Sequence, residues 1–455
     1  MVEKLPHAAN TDLRAIHFER WTEAAGRTGD DAIADFAAAA IQDPATARVL
    51  SSVFGNSPFL SQCLISDLVF ARELLLRGPD EAYSEAFDAA ADRASLGDEN
   101  EDQVKLRLRI AKRRAALAIG LADISESWTL ERITSALSDF ASAALGASCR
   151  FLLRQMHDRG DLALHNPEDP ENDSGLIVLG MGKLGARELN YSSDIDLILL
   201  YDQDMVPHTG KNGLQHLFTR FSRNLVSLMD ERTKDGYVFR TDLRLRPDPG
   251  ATPPAISVLA AEMYYESTGQ NWERAAMIKA RPVAGDEKAG LAFLDILRPF
   301  MWRRSLDFAA IQDIQSIKRQ INAYRGGAKI AVAGHNIKLG RGGIREIEFY
   351  AQTQQLIWGG RDPELRVRGT LSAIERLDAA GHVDGAAFSD LKQAYNFHRR
   401  VEHRLQMIDD RQTHELPENE EDLERISVFL GYSSVADFTE ELLRHLKCVE
   451  YHYAA

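Results

Sequence analysis

The sequence predicts an α+β chain in which a compact α/β domain sits between an N-terminal helical region and a C-terminal helical bundle. Three observations support this. Residues 1–165 are rich in Ala, Leu, Arg and Lys, with apolar residues at helical spacing. Residues 166–300 carry short apolar runs bounded by Gly, Pro, Asn and Asp, which read as strands. Residues 301–455 return to the helical period.

In the first region, "DDAIADFAAAAI" and "RIAKRRAALAIGLADI" are helix-forming stretches, and Leu137, Phe140 and Ala144 fall on one helical face. The loop signal "HNPEDPENDSG" (165–175) follows. Next come expected strands at "LIVLG" (176–180), "DIDLILLYD" (194–202) and the alternating "GYVFRTDLRLRP" (236–247). Between the last two, Leu217, Phe221, Leu225 and Leu228 mark a helix. "AMIKARPVAGD" (276–286) reads as a fourth strand. In the last region one apolar stripe runs Leu306, Ala310, Ile314, Ile317, Ile321. A second runs Phe388, Leu391, Tyr395, His398, Val401, Leu405, Ile408. No solenoid repeat is visible.

Composition narrows the function. Among 455 residues, 54 Lys and Arg face 68 Asp and Glu, a net charge of -14, which disfavours non-specific nucleic-acid or anionic-membrane binding. No apolar run approaches the roughly 20 residues of a membrane span. The start lacks a signal-peptide core. Cys63, Cys149 and Cys448 lie far apart without CxxC spacing, so neither a disulfide framework nor a zinc site is expected. A cytoplasmic protein is expected.

The stretch "GMGKLGARELNYSSDIDL" (180–197) concentrates the chemistry. Gly180-x-Gly182-x-x-Gly185 has the form of a dinucleotide fingerprint, but that fold needs a full helix and an acid about 20 residues beyond the glycines. Here the next strand begins only nine residues after Gly185. A Walker loop is excluded because Leu184 follows Lys183. Asp194 and Asp196, two apart on a strand, project to one face and suit a hard cation shared with phosphate. Asp242 is the expected third carboxylate, on a strand face with Arg240, Arg244 and Arg246. The plainer readings are a solvated turn for the acids and a solvated sheet face for the arginines. Gly182 lets backbone N–H groups approach a phosphate, and Ser192 and Ser193 can bind it or cap the turn.

These residues resemble the nucleotidyltransferase signature of the glutamine synthetase adenylyltransferase family, "LGMGKLGARELNYSSDIDLILLYD". Further blocks resemble it in the same order: "FGNSPFLSQCLISD", "YVFRTDLRLRP", "NWERAAMIKARPVAGD" and "NIKLGRGGIREIEFYAQTQQL". The family enzyme carries two related halves, and this chain, with one signature, resembles the N-terminal, adenylyl-removing half. The resemblance implies a polymerase-β-like nucleotidyltransferase domain that phosphorolyses tyrosyl-AMP on glutamine synthetase, giving ADP. It implies Mg²⁺ on Asp194, Asp196 and Asp242. Charge and position, rather than the resemblance, make Lys183, Arg244, Lys279 and Arg281 candidates for nucleotide and phosphate, beside Gly182 and Ser193 of the turn. Expected partners are adenylylated glutamine synthetase and a nitrogen-regulatory signal protein, with phosphate, ADP or ATP as ligands.

In "KLGRGGIREIEF", Gly340, Gly342 and Gly343 make a turn opening a helix, with Glu346 in its first turn. Lys338, Arg341 and Arg345 are candidates to close over phosphate, and His398 reads as a core residue. Rival readings are the ATP-dependent adenylylating half, a uridylyltransferase-like regulator and a non-catalytic docking module.

Overall fold

The computed structural model describes residues 4–92, 98–303 and 330–454. The stripe from Leu306 to Ile321 lies outside these residues. What is described is mixed α+β, with helices following one another from Thr11 to Asp158. Two long ones matter most for the site. Glu101–Ile124 opens on a reciprocal cap, Gln103 N donating to Asn100 Oδ1 (3.0 Å) and Asn100 N to Gln103 Oε1 (2.8 Å). Leu130–Asp158 buries Leu137, Phe140 and Ala144, as its period predicts. No described helix is long and apolar enough to cross a membrane.

Among the described residues the sheet has five strands: β1 (Leu176–Gly180), β2 (Ile195–Tyr201), β3 (Thr241–Asp242), β4 (Ala255–Ser257) and β5 (Arg281–Gly285). β1 lies antiparallel between β2 and β5, while β3 and β4 pair parallel with opposite ends of β2. Both faces are covered. Val178, Leu197 and Leu199 join a core with the Leu130–Asp158 and Leu214–Asp230 helices. Ile177, Leu179, Ile198 and Leu200 join another with the Val258–Ser267 and Glu287–Ile296 helices. Two-sided burial explains why β1 and residues 197–201 of β2 read as unbroken apolar runs. The first of these cores holds residues from both sides of position 165.

Two expected strands are shorter than their sequence patterns suggest. Of 236–247 only Thr241–Asp242 pairs. The amides of Val238 and Phe239 bond instead to Met229 O (2.9 and 3.0 Å), closing this segment onto the preceding helix. Beyond β3 the chain turns, because Asp242 Oδ1 accepts from Arg244 N (2.8 Å) and Arg246 donates to the carbonyls of Leu243, Pro249 and Thr252. Of 276–286 only Arg281–Gly285 is strand, and a helix, Asn271–Met277, replaces its beginning. Glu273 accepts from Gln270 N (2.8 Å) at the start of that helix, a local cap that outweighs the strand pattern. β4, three residues long, is too short to leave a periodic signal.

The C-terminal helices include Ile344–Trp358, Thr370–Ala379, Gly385–Asp409 and Val435–Ala454. Gly385–Asp409 buries Leu391, Tyr395, His398, Val401 and Leu405 of its expected stripe. It also clasps the N-terminal region. Arg404 Nη1 and His403 Nδ1 meet the Asp123 carboxylate at 2.7 and 2.8 Å, and Ser57 Oγ donates to Met407 O (2.5 Å). Asp123 is held far below the usual carboxylate range: burial opposes ionisation, but Arg404 and His403 outweigh it.

Candidate active site

The signature turn is built by close backbone approach. β1 ends at Gly180, and one helical turn, Gly182–Gly185, follows. Met181 N donates to Asp196 O (2.9 Å), tying the turn to β2. Gly182 has φ +51°, and a Cβ there would stand 3.2 Å from Asp196 Oδ2. At Gly185 a Cβ would lie 2.0 Å from Lys279 O and 2.4 Å from Gly180 O. The glycines therefore let three backbone segments touch behind a carboxylate. Gly185→Ala is expected to cost about 3 kcal/mol or more, because both obstacles are backbone oxygens that cannot rotate away. A fall in the thermal unfolding midpoint would check it, and an unchanged midpoint would contradict this packing.

Asp194 and Asp196 flank Ile195 at the start of β2, and Asp196 is the register partner of Asp242 on β3. All three line one cleft of about 450 Å³. Arg240 fixes Asp194: its Nε donates to Asp194 Oδ1 (2.7 Å), its Nη1 to the Tyr237 hydroxyl (2.6 Å) and its Nη2 to Ser192 Oγ (3.1 Å). The Tyr237 hydroxyl in turn donates to Asp410 (2.8 Å). Asp242 is held by Arg244 through Nε and Nη2 (2.5 Å at the closest), which lowers its pKa. The Asp196 carboxylate accepts no hydrogen bond from a described residue. Burial first, then the charges of Asp242 and Asp194, push its pKa up to about 6. Three converging carboxylates, one of them reluctant to ionise, form an all-oxygen donor set of the kind that suits a hard divalent cation.

Basic side chains share the cleft with the acids: Lys183, Lys279, Lys338, Arg244 and Arg345 line it together with Asp194, Asp196, Asp242 and Glu348. Near-neutral as it stands, it would become anion-attracting with a divalent cation bound. Two of the lysines have buried counter-ions. Lys183 Nζ lies 3.3 Å from Glu402, which is fully buried and also meets Arg399 (3.2 Å) and His414 (2.8 Å). Lys279 Nζ donates to Glu188 Oε2 (2.8 Å) and Thr370 Oγ1 (3.0 Å), and lies 3.9 Å from Glu348. Burial pushes Lys183 down to about 7 despite Glu402. Glu348 moves the other way: burial would raise it, but Lys279, Lys183, Arg345 and Lys338 hold it at about 2. Lys338 and Arg345 have no ion-pair partner among the described residues.

Of the residues expected from sequence, Gly182, Lys183, Ser193, Asp194, Asp196, Asp242, Arg244 and Lys279 all line this cleft. Arg281 does not line it. It reaches from β5 to Ser142 Oγ and Leu184 O (both 3.2 Å), bracing the Leu130–Asp158 helix against the signature turn. Lys279 lies before β5 rather than on it. Because the 236–247 segment is mostly loop, its arginines share no strand face: Arg240 orients Asp194 and Arg246 braces a turn. Ser192 is buried, its N donating to Gln406 Oε1 (2.8 Å). Arg341 points away to Glu450 (3.1 Å), and His398 is a core residue bonded to Gly342 O (3.0 Å).

Glu188, Glu348, Glu402 and Trp272 are the participants that sequence reading missed. Only "GARELN" and "IREIEF", runs in which an acid follows an arginine, hinted at the first two. Cys63 and Cys149 are buried and unpaired. Cys448 stands near Asp390 and His452, donor atoms within 4.8 Å of one another, with His452 Nε2 and Asp390 already hydrogen-bonded (2.8 Å).

Comparison with known proteins places this geometry in a family. Residues 47–296 match the model of the glutamate-ammonia ligase adenylyltransferase family, and residues 314–455 match that of PII-uridylyltransferase. A relative from Rhizobium meliloti is 52% identical over 412 residues, covering 89% of this chain and 42% of the relative. One from Bradyrhizobium diazoefficiens is 47% identical over 448 residues, 98% of this chain and 44% of the relative. Both bear the name bifunctional glutamine synthetase adenylyltransferase/adenylyl-removing enzyme, and the chain spans about two fifths of their length. With a family model covering more than half of its residues, the chain belongs to the glutamate-ammonia ligase adenylyltransferase family.

Proposed function

We propose that this chain is the adenylyl-removing half of a bifunctional glutamine synthetase adenylyltransferase. Its substrate would be glutamine synthetase carrying AMP on a tyrosine, and its co-substrate inorganic phosphate. The observation that carries the reading is the meeting of Asp194, Asp196 and Asp242 in a cleft that Lys183, Lys279, Lys338 and Arg345 also line. The removing direction is favoured by the "ELNYSSDIDL" and "MIKARPVAGD" blocks and by the long helical region ahead of the signature.

Asp194, Asp196 and Asp242 would hold Mg²⁺, which when bound neutralises phosphate oxygens as a Lewis acid. Every other task falls to the protein. Arg240 keeps Asp194 aimed into the cleft. Lys338 and Arg345, which have no ion-pair partner among the described residues, are available for phosphate charge. Lys183 and Lys279 are held in place by Glu402 and Glu188 and line the same space. An oxygen of phosphate attacks the α-phosphorus, the bond from phosphorus to the tyrosyl oxygen breaks, and the proton carried by phosphate ends on that oxygen. A nitrogen-regulatory signal protein is the proposed partner of the 314–455 region, given its similarity to PII-uridylyltransferase. A cytoplasmic location is proposed with it.

The test incubates the chain with magnesium, phosphate and adenylylated glutamine synthetase, using an Asp194→Asn, Asp196→Asn double variant as blank. ADP release by the unaltered chain alone is expected. AMP transfer from ATP onto unmodified synthetase, without ADP release in the first assay, would assign the adenylylating half. Absence of both reactions from a folded chain that binds the synthetase would favour the docking-module reading.

A further inference from the structure

Part of the cleft's lining is apolar and lies on one face of the short Asn271–Met277 helix, sequence "NWERAAM". Trp272, Ala275 and Ala276 stand at i, i+3 and i+4 and line the cleft, as do Leu245 and Phe349. The opposite face is anchored by charge. Glu273 (3% exposed) accepts from Gln270 N (2.8 Å) and the Tyr264 hydroxyl (3.2 Å). Arg274 (1% exposed) donates to Phe300 O (2.9 Å) and Met301 O (3.2 Å). Across the cleft Gln352 Nε2 donates to Ala275 O (3.1 Å). The helix is therefore rigidly seated while Trp272 stays 44% exposed.

That exposure is unusual within this chain. Trp21 and Trp128 are buried, and Trp302 and Trp358 are only partly exposed. An indole held open at a cleft wall does little for the fold, but it is a ready platform for a flat ring. The two alanines beside it leave room that larger side chains would fill. A nucleotide combines an aromatic base with phosphates, and the cleft's lining offers both an indole with small apolar neighbours and basic side chains.

We propose that this helix face is a base-binding subsite, in which the purine of an adenine nucleotide stacks on the Trp272 indole beside Ala275 and Ala276. The subsite rests on the nucleotide-transfer reading above and adds to it the residues that hold the base.

The experiment measures ADP and pyrophosphate binding by calorimetry, with magnesium, for the unaltered chain and for Trp272→Ala and Trp272→Phe. Loss of stacking is expected to weaken ADP about 10- to 100-fold in Trp272→Ala. Pyrophosphate affinity and the unfolding midpoint should not change, and Trp272→Phe should keep most of the ADP affinity. Undiminished ADP affinity in Trp272→Ala, or equal losses of ADP and pyrophosphate, would overturn the subsite while leaving the transfer reading intact. A chain that binds neither ligand would overturn both.

Discussion

Replacing Asp196 with Asn is expected to lower turnover about a thousandfold, equivalent to about 4 kcal/mol of lost transition-state stabilisation. Asp196 is the carboxylate around which the cleft closes. The Gly182 backbone sits over it, Asp242 is its register partner and Asp194 is its neighbour two residues away. Because burial and those two acids raise its pKa to about 6, ionising Asp196 opposes folding of the cation-free protein. The sign follows from linkage. A carboxyl with a raised folded pKa contributes stability that is fully present below its ordinary pKa and lost as pH rises through about 6. The shift is worth about 3 kcal/mol.

Magnesium needs the ionised form, so it is expected to raise the unfolding midpoint strongly above pH 7 and weakly near pH 5. In Asp196→Asn the cation-free protein should melt higher than the unaltered chain above pH 7, and the magnesium response should largely vanish. Calorimetric melts at the two pH values, with and without magnesium, check all three expectations. An equal magnesium shift at both pH values would refute the role given to Asp196.

Glu402→Ala is expected to cost about 3–5 kcal/mol of stability, the range for removing one partner of a buried ion pair. Glu402 is fully buried and takes Lys183, Arg399 and His414, drawing together the signature turn and the central C-terminal helix. Burial opposes its ionisation, but Lys183 and the hydrogen bond with His414 hold its pKa well below the usual range. Its contribution is therefore present above the ordinary carboxylate pKa and lost as pH falls through the depressed value. Urea unfolding near neutral pH should show the full cost, and the gap from the unaltered chain should narrow in acid.

Adding Lys183→Met to Glu402→Ala removes one of the stranded cations and should recover part of the loss. Strict additivity of the two substitutions would show that the pair is not coupled.

Much of the site was legible because its chemistry is local. Asp194 and Asp196 share a face through the two-residue period of a strand, and that period is a property of any extended backbone. The apolar runs of β1 and β2 announced buried strands, and the nine-residue gap after Gly185 ruled out a dinucleotide fold. Where the reading failed, a nearby cap or turn, or a tertiary contact, had outweighed the strand pattern. The alternation of 236–247 became a loop because its amides found Met229 O and its arginines found carbonyls and acids close by. Arg281, chosen for its charge, serves as a brace between a helix and the signature turn.

By itself, then, the sequence determined the α+β class, the helical flanks, the strand-end carboxylates and the glycine turn, since each depends on residues within about one element of one another. The tertiary structure alone decided which charges answer one another. Glu402 meets Lys183 across 219 positions, Thr370 meets Glu188 across 182, and Asp123 meets Arg404 across 281. It also decided that Trp272 faces the cleft while Glu273 and Arg274, its sequence neighbours, are buried. Periodicity marks the face an element will bury. Which distant group meets it is settled only when the chain closes its core and each buried charge must find a partner.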